Sequence, residues 1–136
     1  MKKMAFVSLL LVLMSMSARG AVAHQTRVFD ACVTVARAGQ PCRNKVTVIA
    51  RDAAYVRAHM RPLHAGAIAR LWRLEPRATE WIKVARVRVR DEGRMSYRWD
   101  PSDSDIHNFT SWRFRYVLPQ HGHSDTVKIR VITPDI

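Results

Sequence analysis

Trp81-Ile82-Lys83-Val84-Ala85-Arg86-Val87-Arg88-Val89-Arg90, then Asp91-Glu92-Gly93, then Arg94-Met95-Ser96-Tyr97-Arg98-Trp99-Asp100: two alternating runs and three turn residues between them decide the fold class. In Val87 to Arg90, apolar and charged residues change places at every step. That is the period of a strand with one dry and one wet face. After the turn, Met95, Tyr97 and Trp99 fall on one face and Arg94, Ser96 and Arg98 on the other. Asp91-Glu92-Gly93 is expected to close a hairpin between the two runs, and Gly93 suits the left-handed backbone that such a turn requires.

The same period recurs outward from this stretch. Ser111 to Leu118 sets Trp112, Phe114, Tyr116 and Leu118 against Arg113, Arg115 and Val117. Asp125 to Ile132 sets Val127, Ile129 and Val131 against Lys128 and Arg130. Towards the N-terminus lie β-rich runs at Val28 to Ala36, Lys45 to Arg51, Ala54 to Met60 and Ala67 to Leu74. The alanines of His64 to Arg73 also suit a helix, but turn signals bound that stretch inside a β pattern. A strand is the expectation there. Pro101 to Asn108 and Pro119 to Ser124 read as irregular or turn segments. Seven strands from Lys45 onward, at short regular spacing, predict an all-β, antiparallel sandwich. Its core is expected to include Val48, Leu71, Val87, Tyr97, Phe114 and Ile129.

The chain has 136 residues, 48% hydrophobic and 25% charged, with a formal net charge of +12. That length suits one domain. The composition excludes a disordered or collagen-like chain, and two cysteines are too few for a disulfide scaffold. Residues 1–23 have the layout of a secretory signal peptide: Lys2 and Lys3, an apolar run from Met4 to Met14, then Ala21-Val22-Ala23 before His24. The run is too short for a membrane span, which needs about 20 residues. Cleavage is expected after Ala23. It removes three of the 23 basic residues and none of the 11 acidic ones, leaving a net charge of +9. No later segment is long and apolar enough to span a membrane. The expected location is secreted, periplasmic or cell-envelope.

Export changes the reading of Cys32 and Cys42. In an oxidising compartment two thiols on one chain pair. Gly39 and Pro41 between them allow the chain to double back, so a structural disulfide is expected. The domain plan is a signal peptide at 1–23, a cysteine-bearing segment at 24–45, a β-sandwich at 46–132 and a tail at 133–136.

Several motifs fall in a recognisable order: Arg61-Pro62-Leu63-His64-Ala65-Gly66-Ala67, then Ala69-Arg70-Leu71-Trp72-Arg73-Leu74, Trp81-Ile82-Lys83-Val84-Ala85, Asp91-Glu92-Gly93-Arg94, Tyr97-Arg98-Trp99, and Phe114-Arg115-Tyr116-Val117-Leu118-Pro119. Over residues 46 to 132 the chain resembles the immunoglobulin-like β-sandwich modules of secreted bacterial proteins. The resemblance implies an Ig-like or fibronectin-III-like sandwich. It also implies the work such modules do, as spacers, adhesion elements or accessory domains. The segment before Lys45 is outside the shared pattern.

No constellation argues for catalysis. Ser124 stands beside His123 and Asp125, but adjacency in sequence is not triad geometry. His121-Gly122-His123 has no assigned third ligand. Asp100 to Asp105 lacks the glycine and the closing glutamate of a calcium loop. Catalytic, cofactor and metal residues are therefore assigned as none. Asn108-Phe109-Thr110 has the form of a glycosylation sequon. The arginines are the distinctive feature. Arg86, Arg88 and Arg90 alternate on one run, Arg94 and Arg98 lie on the next, and Arg113 and Arg115 on a later one beside Trp112. Stacked on neighbouring strands they make a positive face, which suits polyanions and is equally what the solvated outside of a sandwich looks like when arginine is its default polar residue. The functional expectation is a secreted, non-enzymatic binding or structural module. Its partner is a protein or an anionic polysaccharide at the cell surface, with no specific nucleic acid. The alternative is a small secreted enzyme inhibitor that presents Ser111 to Tyr116.

Overall fold

A computed structural model describes residues 27–37, 39–61 and 64–134. The expected leader, its cleavage site and residues 135–136 lie outside these. Among the described residues there are nine strands: β1 (Arg27–Val35), β2 (Lys45–Ile49), β3 (Ala54–His59), β4 (Ile68–Leu74), β5 (Ile82–Arg88), β6 (Arg94–Trp99), β7 (Trp112–Leu118), β8 (Gly122–Ser124) and β9 (Val127–Ile132). A 3-10 turn spans Asp103–Asp105.

The strands form one hydrogen-bonded sheet with two wings. The larger wing runs β5-β4-β7-β9-β2, and the smaller runs β1-β3-β6. β1 joins them. Its first residues pair with β8, beside β7, and its remainder pairs with β3. The inner faces of the wings meet through Trp99 on β6, whose ring lies 5.3 Å from that of Trp112 and 5.1 Å from that of Phe114, both on β7. Around them pack Val33, Val56, Leu71, Met95, Val127, Ile129 and Val131, all buried. Alternation explains the placement. Trp112, Phe114, Tyr116 and Leu118 point inward, while Arg113 is exposed and Arg115 half-buried on the opposite face.

Four expectations change. The sheet is mixed, because β2 runs parallel to β9 and the start of β1 runs parallel to β8. A short strand, β8, occupies part of the expected turn at 119–124. The segment set apart at 24–45 enters the sheet through β1, and Phe29, Ala31 and Val33 are core residues. Val87 and Tyr97 are only half-buried, and Val89, Met95 and Trp99 fill those sites. Both belong to strands at the edges of their wings, β5 and β6, where neighbours cover one flank only. Val48, Leu71, Phe114 and Ile129 are buried as expected.

Cys32 and Cys42 form a disulfide, with their α-carbons 5.4 Å apart. Val33 and Arg43 exchange two backbone hydrogen bonds beside it. Closing a loop of this length contributes roughly 2–3 kcal/mol in the chain-entropy account.

The Tyr116 hydroxyl donates to the Val56 carbonyl across the core. Burial, reinforced by Tyr97, raises its pKa well above the ordinary tyrosine value. The folded state therefore favours the neutral phenol. That contribution is complete below about pH 10, where the unfolded chain is also neutral. Above it, the unfolded chain ionises first and stability falls by up to about 1.4 kcal/mol per pH unit. Denaturant midpoints measured from pH 8 to 11 are expected to drop more steeply for the native protein than for Tyr116→Phe. The variant should lose about 1 kcal/mol at neutral pH from the missing hydrogen bond. Parallel curves would remove Tyr116 as the cause.

Candidate functional site

The outer face of the larger wing is built from the polar partners in each alternation. Register fixes which of them are neighbours. Lys45, Lys128 and Arg113 lie in one row across β2, β9 and β7, ending at Leu74 on β4. Arg115, Trp72 and Lys83 form the next row across β7, β4 and β5. Val117, Arg70 and Arg86 form the third, and Arg88 stands opposite Ile68 beyond it. Arg130 lies opposite Thr47, its guanidinium 3.4 Å from the threonine hydroxyl.

The five strands of this wing contain no Asp or Glu. Nine cations share the outer face: Lys45, Arg70, Lys83, Arg86, Arg88, Arg113, Arg115, Lys128 and Arg130. Among the described residues none of them is in an ion pair. The tenth, Arg73, faces the other way, over the Trp112 ring at 4.9 Å. A row of unpaired like charges raises the local potential and concentrates anions near the surface. Arg115 is also held in place, its guanidinium 4.5 Å above the Trp81 ring.

Of the arginines singled out in the sequence, Arg86, Arg88, Arg113 and Arg115 come together here. Arg90, Arg94 and Arg98 do not. The turn at Asp91 to Gly93 carries the chain from one wing to the other, so β6 pairs with β3 and never with β5. Arg94 lies 3.5 Å from Glu92, and the Arg98 Nε donates to both Asp100 oxygens. That carboxylate raises the Arg98 pKa above its ordinary value. Arg90 lines a separate cleft with Arg57, His59 and Arg94.

Trp112, expected as a contact residue, is 4% exposed and faces the core. Its Nε1 donates to the Asp105 carbonyl at 2.9 Å. The Ser111 to Tyr116 stretch is accordingly a central strand with its aromatic side chains inside, and it offers an inhibitor no aromatic loop. Sequence reasoning missed Arg70, Lys83, Lys128, Arg130, Lys45 and the aromatic pair Trp72 and Trp81. Each carried a signal, as the polar or half-buried member of its alternation. Which strands share a wing was the missing information.

The remaining chemistry-bearing residues serve the fold. Ser124 is fully buried; its hydroxyl accepts from the Tyr116 N–H and donates to the Asp125 carbonyl. Asp105 accepts from the Ser102 N–H and closes the 3-10 turn. His121 contacts His64, with ring centroids 5.0 Å apart. Among the described residues no three His, Cys, Asp or Glu side chains are grouped to hold a metal. No described helix is long and apolar enough to cross a membrane.

Compared with known proteins, the chain matches no family model, no curated protein and no solved structure.

Proposed function

We propose that this protein is a non-enzymatic binding module that attaches to an anionic polymer of the cell envelope through the outer face of its larger wing. One observation carries the reading: nine cations on five adjacent strands that contain no acid, none of them in an ion pair among the described residues. On the smaller wing, by contrast, Arg94 and Arg98 lie beside Glu92 and Asp100. The disulfide supports an oxidising, extracytoplasmic setting. An immunoglobulin-like assignment is supported by the two facing wings and by the strand that passes between them.

The test is salt dependence. Labelled polygalacturonate should bind at 50 mM salt and weaken steeply as salt rises. A neutralised charge on a single-stranded polyanion releases about 0.7 counterions, so engaging five of the nine cations predicts about a hundredfold loss between 50 and 200 mM. Absence of binding at 50 mM, or an affinity indifferent to salt, would overturn the proposal.

A further inference from the structure

Within the cationic face, the row holding Arg115, Trp72 and Lys83 is the one that carries a tryptophan between its cations. Trp72, Trp81 and Arg115 border an open cleft of about 300 Å³, with Arg70, Val117, Pro119 and Gln120 completing it. We propose that this cleft is a uronic-acid subsite: it seats one sugar ring of an acidic polysaccharide and directs the ring's carboxylate to Arg70 and Arg115. The inference rests on the polyanion reading above and narrows the polymer to one built from acidic sugars.

Three features argue for a sugar. The first is hydrogen-bonding character. Indole and guanidinium groups donate only, so among these residues only Gln120 has a side-chain acceptor. Trp72 Nε1 and Arg115 Nε are shielded from water and have no partner. A shielded donor left unpaired is costly, and a ligand rich in acceptors offers it a partner. Hydroxyls, ring oxygen and carboxylate supply such acceptors around a uronic acid. The second feature is shape. Val117 and Pro119 give the cleft an apolar wall, and the C–H face of a pyranose is apolar. The third is the state of Trp81. Arg115 already lies over its ring, so one face of the indole holds the cleft's cation in place for an acidic ligand. Gln120 on the rim sits at φ 68, in the left-handed region that side-chain-bearing residues disfavour. Such strain concentrates at binding sites.

The spacing suits a polymer. Arg70 and Trp72 are two residues apart on β4, about 7 Å along the strand. The ring on Trp72 therefore has a cation within reach on the same strand, and Lys83 and Arg115 on either side.

Four tryptophans supply an internal control. In the unaltered protein, the indole N–H resonances of Trp72 and Trp81 should shift saturably on titration with tetragalacturonate. Those of Trp99 and Trp112, both buried in the core, should not. Trp72→Ala and Trp81→Ala should each lower affinity for polygalacturonate at least tenfold with the salt slope unchanged. Affinity for poly-L-glutamate, a polyanion without rings, should not change. Unmoved Trp72 and Trp81 signals, or variants that bind both polymers like the native protein, would overturn the subsite and leave the polyanion reading standing. Failure of both polymers to bind at low salt would overturn both. Oligothymidylate that binds more tightly than tetragalacturonate and moves the same indoles would reassign the cleft to nucleobases and overturn the sugar assignment.

Discussion

Gly93→Ala is expected to destabilise the protein by about 3 kcal/mol or more, while Gly39→Ala costs about 1 kcal/mol. Both glycines have left-handed backbones, at φ 81 and φ 77. Forcing an alanine into that region costs each site about 1–2 kcal/mol. Their surroundings differ. A β-carbon at Gly39 meets nothing within 4 Å, whereas one at Gly93 lies 2.1 Å from the Met60 carbonyl oxygen. That oxygen cannot retreat cheaply. The Met60 N–H donates to the Gly93 carbonyl at 2.8 Å, which binds the end of β3 to the turn. Relief requires breaking that hydrogen bond and shifting the chain where the two wings connect. For a domain of this size, 1 kcal/mol corresponds to roughly 4 °C in melting temperature. The Gly93 variant should therefore melt at least 12 °C lower, with Gly39→Ala as the matched control. Equal shifts for the two would show that backbone strain alone decides, and that the contact with Met60 does not.

The second large effect concerns binding. Arg88→Glu combined with Arg113→Glu should lower affinity for polygalacturonate about a hundredfold at 50 mM salt. Arg94→Glu combined with Arg98→Glu should change it less than threefold. At 50 mM each neutralised charge contributes about eightfold through counterion release, so losing two costs roughly sixtyfold before the new repulsion is added. The control pair carries the same change in net charge. It lies on the smaller wing, where Glu92 and Asp100 already compensate the arginines. Net charge alone would weaken both pairs alike; a defined face weakens only the first. Exposed substitutions of this kind change stability by only about 0.5 kcal/mol, so circular dichroism and melting should stay near the native values. Equal losses in the two pairs would refute a localised face.

Much of the face pattern was legible in the sequence because a strand reports its own two sides. Phe114 and Ile129 were read as inward, and Arg86, Arg88, Arg113 and Arg115 as outward, from alternation alone. Trp112 obeys the same rule and falls inward with Phe114; counting it as a contact residue set its ring chemistry above its position. What a strand does not report is its neighbour. The turn at Gly93 is compatible with a paired hairpin and with two strands that part, and here they part. Arg94 and Arg98 thereby leave the group that Arg86 and Arg88 join. Lys128 and Arg130 enter it through pairing between β9 and β7, and Lys45 through pairing between β2 and β9, residues 83 apart in the case of Thr47 and Arg130. Arg70 stood in a stretch whose alanines drew attention to a possible helix. The aromatic cleft depends on Trp72 of β4 and Trp81, just before β5, bordering one space with Arg115 of β7, and it becomes visible only once β4 lies between β5 and β7.

The place of β9 also sets a timetable. It lies between β7 and β2, and it is the strand with which β2 forms its ladder. On a ribosome, residues 45–49 are made long before residues 127–132, so β2 spends most of synthesis without the partner that fixes its register. Pairing across so many residues is slow to find, because loop closure precedes any gain from the contact. An extended strand left unpaired is also where nascent chains associate wrongly. β2 has few safeguards of its own beyond its brevity and Lys45. The β7-β9-β2 side of the larger wing, and with it the row from Lys45 through Lys128 to Arg113, assembles only when β9 arrives.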